Sequence, residues 1–180
     1  MAKTLSGVTY PLALMDFIPV ICFFITTILT AGELKKVHFV GGMLFYVGGI
    51  LSFFGGFLQA LRKLIMASTK KNIILLHTLF KFFMFTGFFL IIDAVIISRS
   101  SIPWKLIQSK LMSMPCFLFL IIVVICMTLM TTFLFTLDSS KVKTHWIEES
   151  VNVIFQGCVC LCVFYAIQTN INQVIFFFII

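Results

Sequence analysis

Long apolar blocks alternate with short charged gaps along the whole chain. The blocks cover about 11–31, 38–61, 73–97, 113–137 and 149–168. A helix of about twenty residues, rising ~1.5 Å per residue, crosses a ~30 Å hydrocarbon core. The pattern therefore predicts an all-α integral membrane protein, a polytopic bundle of five transmembrane helices. No gap is long and polar enough to form a soluble domain, so 1–180 reads as a single transmembrane domain. The third gap differs from the others. Positions 103–113 read as a short interfacial helix with Trp104 at the headgroups, and Trp146 is a second such anchor.

The two ends need separate readings. Lys3, the first apolar block and Leu29-Thr30-Ala31-Gly32 imitate the three regions of a signal peptide. A block that long, with Asp16 inside it, is atypical of one, so the segment is read as the first span. At the other end Thr169–Gln173 interrupts the apolar run, and the apolar tail 174–180 is too short to cross alone. Either the fifth helix runs on with a polar band, or the tail lies along the interface, or the chain is cut from a longer one. Five spans plus a tail is the reading adopted, over six.

Composition agrees with the pattern. Only 11% of residues are charged and 61% are hydrophobic, against about 25% charged in a soluble domain. The net charge of +7 is spread over the gaps without a dense patch, which argues against nucleic acid and for anionic lipid headgroups as the partner. The N-terminus and the second and fourth gaps carry seven Lys and Arg, and the first and third carry five. That bias places the N-terminus in the cytoplasm. Cysteines stand at 22, 116, 126, 158, 160 and 162, all in or beside apolar blocks. Cys158 and Cys162 share a helix face and Cys160 points nearly opposite, with no paired CxxC, so these are read as small apolar residues and no metal is expected. No nucleotide-binding or hydrolase motif is present, so no cofactor is expected and an enzyme is disfavoured.

The second block carries Gly41-Gly42, Gly48-Gly49 and Gly55-Gly56, a pair repeated at a spacing of seven. Seven residues make almost two helical turns, so each set forms a nearly straight stripe along which another backbone can approach. Close packing within the monomer is the first reading. A homodimer seam, a seam with another membrane subunit, or a sliding interface are the others.

Lys81 is the only one of thirteen Lys and Arg that lies inside a block, one turn after His77. Following the spans back and forth, Asp16, Lys81 and Gln156 fall at similar depths below the N-terminal-side surface. Gln59 joins them from the second span, and Thr128, Thr131 and Thr132 from the fourth. A binding or ion-pair layer of Asp16, His77, Lys81, Gln156 and Gln59 is expected, with Asp16 and Lys81 as the ion pair. Asp93, twelve residues past Lys81, is too far along the helix (~18 Å) to be its partner and lies nearer Arg99. The expected function is binding or transport of a small solute or ion through this layer. The alternatives are a structural or regulatory subunit of a membrane complex packing through the glycines, and a membrane-embedded lipid-modifying enzyme.

Overall fold

The computed structural model describes residues 9–70, 73–136 and 142–179. Lys3, Lys71 and Lys141, counted above for orientation, lie outside the described residues, as do Asp138 and Ile180. Among the described residues every regular element is a helix. These are α1 (Tyr10–Met15), α2 (Phe17–Val37), α3 (Phe39–Thr69), α4 (Ile74–Ser98), α5 (Trp104–Leu111), α6 (Cys116–Thr136) and α7 (Val142–Ile179). Among the described residues five helical stretches are long and apolar enough to cross a membrane, with α1 and α2 counting as one.

Proline explains the break between α1 and α2. Pro11 lies in the first turn of α1, where a missing N–H costs nothing. Pro19 lies in the first turn of α2, and its ring would clash with the carbonyl of Met15 if the helix continued. The chain breaks at Asp16, which ends one helix and starts the next. A single residue, His38, then joins α2 to α3, and its Nδ1 accepts from the Gly41 amide at 3.0 Å. The α3 helix ends at Lys70, whose φ of 57° is left-handed. The last element does not stop at the polar band after Gln168. The α7 helix runs on to Ile179, so most of the tail continues the fifth long helix.

The helices pack in a row. Helix α4 lies chiefly on α3, α3 on α2, α2 on α7, and α7 on α6, with α1 between α3 and α7. The short α5 is tied to α7 by Lys110, whose Nζ donates to the Ala166 carbonyl at 3.0 Å. Contact between helices comes mainly from small side chains. The buried set includes Ala13, Ala31, Ala60, Ala94 and four cysteines, whereas Ile74, Phe85 and Phe135 face outward. Close approach through small residues is how helices associate where apolar burial gains little.

The glycines of α3 divide by face. A Cβ at Gly41, Gly48 or Gly55 would collide with α4, at Ser98, at the Gly87 carbonyl and at Met84 respectively. A Cβ at Gly42, Gly49 or Gly56 would meet α2 instead, at Lys35, Thr27 and Val20. Each pair thus serves two neighbours, and α3 is held between α2 and α4 by two parallel stripes. Gly87 of α4 completes the closest crossing, where Ser52 and Gly48 leave no room for a side chain on it. Both stripes are covered by helices of the same chain, so neither is open to a second one.

The cysteines fill the other contact. Cys116 and Cys162 each direct a thiol to the other's carbonyl, at 3.6 and 3.8 Å, across α6 and α7. Cys126 and Cys158 are buried as well.

Candidate functional site

Three charged side chains meet between α1, α3 and α7. The Lys63 ammonium lies 2.6 Å from Asp16 Oδ2 and 2.5 Å from Glu149 Oε1. The cluster is enclosed, with side-chain exposures of 19% for Lys63, 7% for Asp16 and 14% for Glu149. Water therefore screens it little, and each charge depends on its neighbours.

Each group arrives by a different local rule. Asp16 is presented at the proline-induced break between α1 and α2. Lys63 sits on α3 about two turns before its end, because Arg62–Thr69 continues the helix past the apolar block. Glu149 sits two turns into α7, which begins at Val142. The expected pairing of Asp16 with Lys81 is thus replaced by a pairing with Lys63. Lys81 is exposed on α4 and belongs to no ion pair among the described residues.

The cluster opens on a cavity of about 370 Å³. Asp16, Lys63, Glu149, Asn152, Gln59 and Gln156 supply its polar wall, and Phe23, Phe53, Phe80 and Met84 supply apolar surface. Two of the layer's expected members, Gln59 and Gln156, therefore stand with Asp16. His77 does not line it. His77 packs against Arg62, with Nδ1 2.8 Å from the guanidinium, and Arg62 also donates to Gln59 at 3.3 Å. The threonines of α6 do not join either. Thr128, Thr131 and Thr132 bond to carbonyls of their own helix at 2.8–2.9 Å.

A second cavity of about 380 Å³ lies between α6 and α7, lined by Met127, Met130, Thr131 and Glu148. Glu149 and Asn152 line this one too, so these two side chains stand between the two spaces.

One polar atom in the cluster is unanswered. Asp16 Oδ1 is buried and accepts no hydrogen bond from any described residue. A buried carboxylate oxygen without a donor costs about 1–3 kcal/mol or more, so the site favours anything that brings one. Formal charge adds to this. Two carboxylates around one ammonium sum to −1, which a cation or a proton would neutralise.

No protein-family model matches the chain, and neither a curated protein nor a solved structure does.

Proposed function

We propose that this chain is an integral, multi-pass membrane protein that binds a small cation-bearing solute beside Asp16 and carries it across the bilayer. Five long apolar helices and an outer surface of large apolar side chains support the membrane placement. The bias of Lys and Arg among the gaps, seven against five, supports a cytoplasmic N-terminal side in this reading.

The observation that carries the solute reading is the buried, donor-free Asp16 Oδ1 at the wall of a cavity whose three charges sum to −1. A cavity near 370 Å³ has the size of a small-molecule site. Its aromatic rings suit an alkyl group and favour a nearby cation. Glu149, shared with the second cavity, gives the cation a second carboxylate on a path between α6 and α7. The alternative of a subunit that packs through its glycines is less favoured, because both stripes are already covered.

The test uses n-butylammonium as the cationic probe and n-butanol as its neutral counterpart, read by thermal unfolding in detergent. Butylammonium is expected to raise the melting temperature of the wild type in proportion to its concentration, and butanol is not. Asp16→Asn is expected to lose the shift while remaining folded. An equal effect of the two probes, or a shift that survives in Asp16→Asn, would refute the cation site.

A further inference from the structure

Glu148 and Glu149 are neighbours in sequence, yet α7 uses them differently. Glu149 enters the cluster with Lys63 and Asp16. Glu148 lies against His145, with Oε2 3.6 Å from Nδ1. Both glutamates line the cavity between α6 and α7. Four titratable side chains, Asp16, Glu149, Glu148 and His145, thus follow one another from the buried break after α1 to the first turn of α7.

The innermost step is a carboxyl pair. Asp16 and Glu149 each hold the same ammonium, which keeps those oxygens within roughly 5 Å of each other, a range at which like charges oppose joint ionisation. The two carboxyls are within hydrogen-bonding reach. One proton between them removes their repulsion, and such a pair titrates as a unit. Among the described residues Lys63 of α3 is the cation that faces the pair. Arg62, also on α3, reaches the cavity wall only through Gln59. The side chains that α2, α4 and α6 turn to the two cavities are uncharged.

The outer steps have room for water. The cavity between α6 and α7 measures about 380 Å³, against ~10–15 Å³ needed for one water. Glu148, Glu149, Asn152 and Thr131 supply the polar partners that bridging water requires. Chains of Asp, Glu and His are how membrane proteins relay protons. His145 stands in the first turn of α7 with its side chain 17% exposed, so it leads the line toward the N-terminal-side surface. An imidazole both takes up and gives up a proton.

We infer that the solute site works by exchange: the Asp16–Glu149 pair holds one proton when empty and releases it through Glu148 and His145 when the cation binds. Charge balances at each stage. The pair with Lys63 and a proton sums to zero, and so does the pair with Lys63 and a monovalent cation. One proton leaving for each cation entering makes the exchange electroneutral. The inference rests on the cation-site reading proposed above, and adds the counter-ion and its route.

The probe is n-butylguanidinium, which stays charged at every working pH and keeps N–H donors for Asp16. Its affinity for the wild type is read by thermal unfolding in detergent between about pH 5 and about pH 8, and is expected to fall with pH, approaching about tenfold per unit where the empty site is protonated. In proteoliposomes with an acidic interior, labelled probe should accumulate, and an ionophore that collapses the pH gradient should release it. Glu148→Gln should slow this uptake about a hundredfold, the lower end of what a positioned proton-transfer group contributes. It should leave exchange of labelled for unlabelled probe at uniform pH intact, since that exchange moves no proton. Glu33→Gln removes an acid paired with Lys36 at the far end of α2 and should change neither. Equal affinity at both ends of the pH range, or uptake that ignores the gradient, would overturn the proton exchange. A Glu148→Gln protein that loses both activities, or keeps both, would overturn the route. A probe that binds at no pH would instead refute the cation site, and the inference with it.

Discussion

Lys63→Met is expected to destabilise the protein by about 3–5 kcal/mol, the cost of removing one partner from a buried ionic cluster. The two carboxylates lose their shared ammonium and are left facing each other in an enclosed site. The cluster's charge goes from −1 to −2. Asp16→Asn and Glu149→Gln take it from −1 to 0, and each leaves Lys63 one carboxylate. Each of these is expected to cost far less than Lys63→Met. The double change Asp16→Asn with Glu149→Gln strands Lys63 with no anion. It should therefore exceed the sum of its singles, with a coupling of about 0.5–3 kcal/mol. Denaturant or thermal unfolding in detergent measures all four. Equal costs for the three singles, or a double change that simply adds, would contradict a mutually dependent cluster.

The members of this cluster were only partly legible in the sequence. Depth can be counted along each block, which puts Asp16, Gln59 and Gln156 in one layer, and all three line the cavity. Lys63 and Glu149 stand at the edges of apolar blocks, where the hydropathy pattern does not show that the helix continues. Apolarity marks the hydrocarbon boundary, whereas the helix continues while its backbone bonds can form. Arg62–Thr69 contains neither glycine nor proline, and α3 accordingly runs through it to Lys70. With 31 residues α3 is about 46 Å long, well beyond a ~30 Å core, and its last two turns carry the cations.

Lys81 failed for a different reason. Helix α4 is apolar nearly all the way round, so periodicity does not say which side faces the protein. Depth alone made Lys81 a partner for Asp16, and only the packing of α4 on α3 turns it outward. The glycine pairs posed the reverse problem. Their spacing marked straight stripes, but no rule of spacing says that adjacent glycines serve two different neighbours.

That division gives the second large effect. Gly48→Ala is expected to destabilise the protein by about 1–3 kcal/mol, the usual cost of overfilling a tight contact. The added Cβ would stand 2.7 Å from the Gly87 carbonyl oxygen, 2.9 Å from Leu90 Cβ and 3.0 Å from the Ile91 nitrogen. Two of those atoms are backbone, which cannot swing aside as a side-chain end can. The intrinsic gain of alanine over glycine in a helix, about 0.5–1 kcal/mol, offsets only part of this. The other glycines form an internal scale. At Gly56 the nearest atom would be Val20 Cγ2 at 3.2 Å, so Gly56→Ala should be close to neutral. At Gly157 nothing lies within 4 Å, so Gly157→Ala should be neutral or stabilising. The expected order of melting temperatures is Gly157→Ala, then Gly56→Ala, then Gly48→Ala, with Gly48→Leu below all three. A Gly48→Ala protein that melts with Gly157→Ala would mean that α3 and α4 do not cross at Gly48 and Gly87.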